Sequence, residues 1–460
     1  MRKRILLAPA GVLLGAGLSL GAAHFALLWG LFPSRDLNRA SGYLREVLQI
    51  VNENYVDPKA AGYDGLARNA IHGMVESLDP HSEYLESQDN AELEEDLTGE
   101  FGGVGIEVEV REGAIVVVTP IAGTPGDRAG IRRGDEIRSI DGQAVEANPM
   151  METIVDRLRG KPHTSVKLGL YRPSSRQQLS LTLIREVIKV ESVTGVTVLD
   201  EDIGYLRLTE FSEHTGEQFD KAVDRLLKQN IGGLIIDLRN NPGGLLDAAV
   251  DVAEPFFRKG ELIVYTQGRK PGDREDYRAE SEGEPLNLPV AVLINAGTAS
   301  AAEIVTGALK DTGRAVVIGE RSFGKGSVQS IFKLKNGEGL RLTTAKYYTP
   351  SGISIHEKGI APQVEVVMSA ADDGKLRQQG LRPDLAGTPE FEKQFGFVAI
   401  EDRQLQAARD MLKGVEVLDS QKAKRAAPKA AAAAHQAWPV GAAVAPRPAI
   451  FSGLPRRNRG

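Results

Sequence analysis

The sequence predicts an α/β core with a partly parallel sheet, preceded by an inserted β-rich domain and flanked by helical regions at both ends. Between residues 187 and 366, apolar strand-like runs alternate with amphipathic helical runs, which is typical of parallel strands joined by helices. Between residues 98 and 186, short alternating runs separated by Gly-Asp and Asp-Gly turns indicate strands without long helices. Apolar residues at helical spacing favour helices within residues 37–97 and 367–420.

Composition limits the class of protein. With 460 residues the chain exceeds one ordinary core, so we expect two or three domains. A net charge of −6 disfavours a nucleic-acid partner. Cysteine is absent and the seven histidines are scattered without ligand spacing, so we expect no disulfide, no metal site and no other cofactor.

The N-terminus, residues 1–33, predicts a signal peptide or membrane anchor. Three cations in Met1-Arg2-Lys3-Arg4 precede a stretch from Ile5 to Phe32 that has no formal charge. These 28 residues (32 − 4) exceed the roughly 20 that span a bilayer, which slightly favours an anchor. Gly21-Ala22-Ala23 nevertheless offers a cleavage site. Either way, we expect the rest of the chain on the periplasmic or envelope side of the inner membrane.

The two flanking regions are predicted to be helical. Residues 37–97 should form helices around a turn at Val56-Asp57-Pro58 and pack either on the next domain or on another subunit, and the sequence does not separate these. Residues 367–420 should contain a helix near Asp402 to Lys413. Residues 421–460 are rich in Ala, Pro, Lys and Arg, which predicts a disordered tail.

The β-rich region resembles a PDZ domain over roughly residues 98–186. The resemblance rests on the run from Ala129 to Gly142, in which two glycine turns bracket one strand. PDZ domains add a peptide C-terminus as an extra strand and hold its carboxylate on backbone N–H groups. The resemblance implies that this loop is Gly103-Val104-Gly105-Ile106. Taken alone, the glycines there would more often be only a strand-entry turn.

The α/β core follows in order along the chain. Its first predicted elements are a strand at 203–209, a helix at 216–229, a strand at 234–238, a helix at 245–257 and a strand at 262–266. A strand at 289–295 then leads into a helix at 301–310, and a further strand covers 315–318. Reactive groups in such sheets gather beyond the strand ends. We therefore look for chemistry at the ends of the last two strands.

Ser300 lies at the step from a buried strand into a helix. Ser300-Ala301-Ala302-Glu303 matches the capping box S-x-x-E, and on sequence alone that structural role is the more frequent one. The two roles are compatible. A helix N-terminus presents free N–H groups and a dipole that favour developing negative charge, so a serine there can also be a nucleophile.

Lys325 lies between two glycines directly after a buried strand. Partial removal of its ammonium group from water would favour the neutral form, which is a base. A lysine can act near neutral pH only if its pKa falls from about 10.4 towards 7. Ser300 and Lys325 together predict a serine hydrolase that uses no histidine.

Two other motifs overlap Lys325, and we disfavour both. Gly319 to Lys325 matches the core of a phosphate-binding P-loop, but Gly326 replaces the magnesium-binding Ser/Thr and residues 328–334 alternate like a strand. Ser322 to Lys325 matches S-x-x-K of penicillin-binding proteins. That motif lies on a helix, which the glycines discourage, and neither S-D-N nor K-T-G occurs.

The chain resembles the carboxyl-terminal processing (tail-specific) protease family over roughly residues 40–415. Three motifs carry the resemblance, in family order and after a PDZ-like region. They are the stretches Asp237 to Leu246, Gly297 to Ile304 and Gly319 to Gln329.

This resemblance implies specific roles. Ser300 would be the nucleophile, Lys325 the general base and Gln329 the residue that orients the lysine, with the N–H groups of Gly244 and Ala301 as the oxyanion hole. Gln329 would share a sheet face with Lys325 if both lie on one strand, and its amide adds no charge. Taken alone, it would more often be an ordinary strand glutamine.

The function expected from this resemblance is a serine endopeptidase that recognises protein tails and cleaves near the C-terminus through an acyl-enzyme. Its partners would be proteins with exposed apolar tails, a lipoprotein or adaptor, and a second copy bound through the helical flanks. Two alternatives stay open. One is a Ser-His-Asp hydrolase with His356 or His214 as base. The other is a PDZ adaptor without catalysis.

Overall fold

The computed structural model describes residues 34–426, except residues 112, 147, 383 and 384. The predicted signal peptide or anchor lies outside these residues, as does the predicted tail beyond residue 426. Within the part that the structure describes, no helix has the length and apolar character needed to cross a bilayer. The chain divides into two compact units, residues 34–84 with 340–342 and the remainder.

The first unit is built on two helices, α1 (Arg35–Asn54) and α2 (Tyr63–Glu76), followed by the start of strand β1 (Glu83–Leu85). The Ser34 hydroxyl caps α1 by accepting a hydrogen bond from the Leu37 N–H at 3.0 Å. Although α1 is amphipathic, it buries no residue. Its apolar side chains, which include Leu44, Val47 and Ile50, are therefore exposed.

The second unit begins with α3 (Ser87–Thr98) and continues into the β-rich region. In chain order its elements are β2 (Glu100–Gly103), β3 (Ile106–Arg111), β4 (Ala114–Pro120), α4 (Pro125–Arg128), β5 (Glu136–Ile140), β6 (Gln143–Ala144), α5 (Met151–Leu158), β7 (Ser165–Arg172), β8 (Gln177–Ile184) and β9 (Glu186–Lys189). One sheet has the order β3-β4-β5-β7-β8, with β6 on β5, while β2 pairs with β9. Ile115, Ile137 and Leu168 centre its own apolar core.

The α/β core and the C-terminal helices complete this unit. In chain order the elements are β10 (Val193–Leu199), β11 (Ile203–Leu208), α6 (Thr215–Leu227), β12 (Gly233–Asp237), α7 (Leu246–Ala253), β13 (Leu262–Gly268), β14 (Arg274–Arg278), β15 (Val290–Ile294), α8 (Ala301–Asp311), β16 (Ala315–Gly319), β17 (Ser327–Lys333), β18 (Gly339–Tyr348), β19 (Val364–Glu365), α9 (Ala370–Leu381), α10 (Pro389–Phe395) and α11 (Arg403–Ala426).

The main sheet has the order β10-β11-β12-β15-β16-β19 and is parallel from β11 to β19, whereas β10 is antiparallel. Its central strands are apolar on both sides because both faces are covered. Residues of α6, α7 and α8 pack on one face, and Ala408 and Leu412 of α11 pack on the other with Ile235 and Leu293. The predicted α/β core with a partly parallel sheet is confirmed.

A second, antiparallel sheet lies beyond the main one. Strand β13 pairs with β14 and with β18, and β17 pairs with β18. This arrangement places Tyr347 of β18 beside the elements that carry Ser300, as described below. Of this sheet, the sequence patterns above marked only β13 and the alternating run at β17.

The last helix is longer than the sequence predicts. We expected a helix near 402–413 and a disordered tail from residue 421, but α11 extends to Ala426. The first six residues of the predicted tail, 421–426, are therefore helical. They comprise Gln, Lys, Ala and Arg, which are strong helix formers, so a helix that is already anchored by its packed first half can continue through them.

Candidate active site

Ser300 immediately precedes α8, in the turn that follows β15. Its φ of +55° lies in the left-handed region, where a non-glycine residue is strained by about 1–3 kcal/mol. Such strain at a strand-to-helix turn is typical of a nucleophile held out from the backbone. Its hydroxyl oxygen lies 3.2 Å from the hydroxyl oxygen of Tyr347.

Glu303, in the first turn of α8, accepts hydrogen bonds from both segments of the site. Its carboxylate accepts the backbone N–H of Ser300 at 2.9 Å, which is the glutamate half of the predicted capping box. It also accepts the N–H groups of Gly324 at 2.8 Å and Lys325 at 2.9 Å. The hydroxyl of Ser322 donates to it at 2.5 Å. One buried carboxylate thus fastens the segment of Ser300 to the segment of Lys325.

Burial raises the pKa values of two groups at the site, the Glu303 carboxyl and the Tyr347 phenol. Removal from water raises the pKa of the Glu303 carboxyl, and the donors from Ser322, Gly324, Ser300 and Lys325 offset only part of that rise. Burial likewise raises the pKa of the Tyr347 phenol, while its hydrogen bond with Ser300 opposes the rise. At neutral pH Tyr347 is therefore a neutral hydroxyl beside Ser300.

The glycine turn after β12 approaches Ser300 as closely as only glycine allows. A Cβ on Gly243 would lie 2.6 Å from the Ser300 Cβ and 2.9 Å from the Ala301 nitrogen. A Cβ on Gly244, at φ +140°, would lie 2.1 Å from the carbonyl oxygen of Phe211. The N–H groups of Gly244 and Ala301 donate to no other described residue. Gly243, the neighbour of Gly244, thus lies against Ala301, and the role of the Gly244 and Ala301 N–H groups as oxyanion donors stays a prediction.

Lys325 is partly buried and precedes β17, which begins at Ser327. It therefore lies outside the strand that carries Gln329, and the condition of a shared strand is not met. The amide of Gln329 donates to the hydroxyls of Ser327 at 2.8 Å and Thr343 at 3.4 Å. The orienting role of Gln329 stays a prediction.

The two histidines considered as alternative bases have other neighbours. Nε2 of His214 lies 2.9 Å from a carboxylate oxygen of Glu100. Nε2 of His356 lies 3.7 Å from an oxygen of Glu357, and its Nδ1 is buried without a hydrogen-bond partner in the described structure. The side-chain contact described for Ser300 is with Tyr347. The contacts described for the two histidines do not include Ser300, and the choice between Lys325 and a histidine as the base stays a prediction.

Sequence reasoning missed the group that anchors the glycine turn. Asp237, at the end of β12, is fully buried and accepts from Arg239 at 3.0 and 2.7 Å. Arg239 also donates to Asp402, just before α11, at 2.8 Å. Burial would raise the pKa of Asp237, but the charge and hydrogen bonds of Arg239 outweigh it and lower that pKa. The sequence motif contains Asp237 and Arg239, but it does not show that Arg239 also contacts Asp402, which is distant in the chain.

The predicted tail-binding loop joins β2 to β3. Its carbonyls are occupied, since Val104 accepts from the Gly126 N–H at 2.8 Å and Gly105 from the Ile121 N–H at 2.9 Å. The N–H groups of Val104 and Gly105 donate to no described residue. Among the described strands, β3 pairs only with β4 and so has an open edge. Free amides beside an open strand edge are what strand addition requires.

Comparisons with known proteins agree with this architecture. The model of peptidase family S41 matches residues 202–366, and a PDZ-domain model matches residues 116–172. A carboxy-terminal-processing protease of Bartonella bacilliformis is 38% identical over 420 residues, which cover 87% of this chain and 94% of that protein. The chain belongs to the carboxy-terminal processing proteases of peptidase family S41.

This S41 peptidase has further relatives. The carboxy-terminal processing protease CtpA of Bacillus subtilis is 39% identical over 66% of this chain and 64% of that protein. A solved chain described as photosystem II D1 C-terminal processing protease is 32% identical, covers 70% of this chain and 92% of that chain, and has a TM-score of 0.42. The protein is thus a serine-type processing peptidase with a PDZ domain, which removes the alternative of an adaptor without catalysis.

Proposed function

We propose that this S41 peptidase cleaves proteins near their C-termini through an acyl-enzyme on Ser300, with Lys325 as general base and the PDZ domain as the receptor of the substrate tail. The observation that supports this most is the Glu303 carboxylate, which binds the backbone N–H groups of both Ser300 and Lys325. A nucleophile and a base on separate loops need such a fixed relation, because small displacements reduce the rate steeply.

The proposed chemistry proceeds in two steps. Neutral Lys325 takes the proton of the Ser300 hydroxyl as its oxygen attacks the substrate carbonyl carbon, and the oxyanion forms against the N–H groups of Gly244 and Ala301. The lysine then gives its proton to the leaving amine as the peptide C–N bond breaks, leaving an ester on Ser300. A water molecule then gives a proton to Lys325 as its oxygen attacks the ester carbonyl carbon. The bond from that carbon to the Ser300 oxygen breaks, Lys325 returns the proton to the Ser300 oxygen, and the acid product leaves. Gln329 would hold the amine without adding charge.

The assignment of the base is tested with four variants on a protein that has an apolar tail. We expect Ser300→Ala and Lys325→Met to abolish turnover, and Lys358→Met to leave it unchanged because Lys358 is exposed on the neighbouring loop. His356→Ala should keep activity. Loss of turnover with His356→Ala but not with Lys325→Met would refute the lysine as base, provided that circular dichroism shows each variant folded.

Tail recognition is tested without altering the protein. In this proposal the N–H groups of Val104 and Gly105, which donate to no described residue, bind the substrate carboxylate. A substrate with a C-terminal carboxamide should therefore show a KM about tenfold higher than the free acid, with kcat little changed. Equal KM values for the acid and the amide would contradict carboxylate capture by the PDZ domain.

We further propose an envelope location, with the N-terminal segment inserted in the inner membrane, and association of two copies through the flanking helices. The exposed apolar side chains of α1, among them Leu44, Val47 and Ile50, support the second of these. A lipoprotein or adaptor is the other partner to seek. Fractionation of cells tests the location. Light scattering of the chain from residue 34 tests association, which Val47→Glu should weaken.

A further inference from the structure

One large apolar side chain beside the site has no packing role that accounts for it. Phe323 is 63% exposed and is the most exposed phenylalanine among the described residues. Five other phenylalanines, Phe211, Phe219, Phe256, Phe257 and Phe391, are buried. An exposed aromatic ring is common on mobile loops, so its meaning depends on how firmly the backbone beneath it is held.

That backbone is held on both sides. The Phe323 N–H donates to the carbonyl of Thr298 at 2.9 Å. Before it, the N–H of Ser322 donates to the carbonyl of Ile360 at 3.1 Å and the hydroxyl of Ser322 donates to Glu303. After it, Gly324 donates to the same carboxylate at 2.8 Å. Hence the backbone fixes the direction of the Phe323 Cα–Cβ bond, and the ring is exposed to solvent.

Its position is next to both proposed reacting groups. Phe323 precedes Lys325 by two residues, and Thr298, to which it is hydrogen-bonded, precedes Ser300 by two. The residues on either side of the ring, Ser322 and Gly324, are buried and bound to Glu303. Phe323 is therefore the one apolar surface that this clamped segment, residues 322–324, presents outward.

We propose that Phe323 is a specificity-determining residue whose ring contacts an apolar side chain of the substrate at a residue flanking the scissile bond. This rests on the proposed function of Ser300 and Lys325. A polypeptide that crosses both loops must place the side chains nearest its cleaved bond close to this segment. Because the backbone beneath it is fixed before binding and a phenylalanine has only two side-chain torsions, the ring loses little conformational freedom on contact, which makes it an effective apolar contact.

The test uses two series of peptides that share one tail and vary the residue before or after the cut among Leu, Ala and Asp. We expect Phe323→Ala to lower the preference for Leu over Ala, measured as kcat/KM, about tenfold in one series. The Ala peptides should be cut by Phe323→Ala at a rate close to wild type. Phe323→Leu should keep most of the preference, and mass spectrometry of the products should show the cut position unchanged.

The matched control is Phe332→Ala, which removes another exposed phenylalanine, 48% exposed on β17. It should leave every ratio unchanged. An unchanged Leu-over-Ala preference in both series with Phe323→Ala, while the Ala peptides are still cut, overturns the proposal for Phe323 and leaves the proposed catalysis intact. Turnover that survives in Ser300→Ala would instead overturn the proposed function.

Discussion

Two buried carboxylates support the site, and they are neutralised in different ways. Glu303 at the start of α8 receives three backbone N–H groups and one hydroxyl, and burial raises its pKa. Asp237 at the end of β12 receives the guanidinium of Arg239, and its pKa is lowered. Since a dipole array is weaker than a full opposite charge, the first carboxylate takes up a proton at a higher pH than the second.

The difference matches what each carboxylate holds. Glu303 connects two loops whose relation the chemistry requires, whereas Asp237 connects the sheet to Arg239 and, through it, to Asp402 before α11. A charge pair anchors one arrangement firmly. A carboxylate that binds neutral donors can release them when it takes up a proton, because a protonated oxygen no longer accepts in the same way. The hydrogen bonds of Glu303 to the segments of Ser300 and Lys325 are therefore lost more easily than the ion pair of Asp237 with Arg239.

The largest expected effect is the loss of stability on removal of the Arg239 guanidinium. Arg239→Met leaves Asp237 buried without its charge partner, so we expect the free energy of unfolding to fall by about 3–5 kcal/mol. Urea denaturation measures this. The control Lys221→Met, which removes an exposed ion pair with Glu217, should have no measurable effect. A small loss for Arg239→Met would mean that Asp237 does not need its partner.

The second largest effect is expected when the hydrogen bonds to the Glu303 carboxylate are changed. Glu303→Gln keeps an amide oxygen as acceptor but turns its NH2 group towards donors, so some of the four hydrogen bonds are lost at about 1–3 kcal/mol for each unsatisfied group. We expect kcat to fall about a hundredfold, with KM nearly unchanged, because Ser300 and Lys325 lose their common anchor. An unchanged kcat in a folded Glu303→Gln protein would show that the carboxylate only caps the helix.

The pKa values of the two carboxylates are shifted in opposite directions, so lowering the pH should affect them at different points. Glu303, with its pKa raised above 4.5, takes up its proton before Asp237 as the pH falls. A loss of activity should follow there while the fold persists, in addition to the loss that protonation of the proposed base Lys325 causes. Asp237 contributes stability above its unfolded pKa near 3.8, and that stability is lost only below it, as the pH falls through the lowered folded value. As the pH rises above 4.5, the wild type should lose stability relative to Glu303→Gln. Activity and circular dichroism measured from pH 7 to pH 3 check both expectations.

The sequence predicted the features of the site that depend on neighbouring residues, but not the contacts between residues far apart in the chain. The strand-helix alternation and the capping box Ser300–Glu303 were readable, because both depend on near neighbours. The hydrogen bonds of Glu303 to Gly324 and of Arg239 to Asp402 join residues far apart in the chain, and no local pattern encodes them. The sequence also left open whether Lys325 and Gln329 share a strand, and in the structure β17 begins at Ser327, after Lys325.

The smallest effect concerns Tyr347, whose hydroxyl lies 3.2 Å from that of Ser300 and which no sequence pattern indicated. Tyr347→Phe removes a neutral hydrogen bond, so we expect a change in kcat of less than about tenfold. The pH at which Glu303 takes up its proton should not move, which the pH dependence of the stability difference between wild type and Glu303→Gln measures in the Tyr347→Phe background. If Tyr347→Phe instead shifts that pH, then the two hydroxyls and the carboxylate titrate as one unit. The contrast between Glu303 and Asp237 would then be a property of the whole buried cluster rather than of one carboxylate.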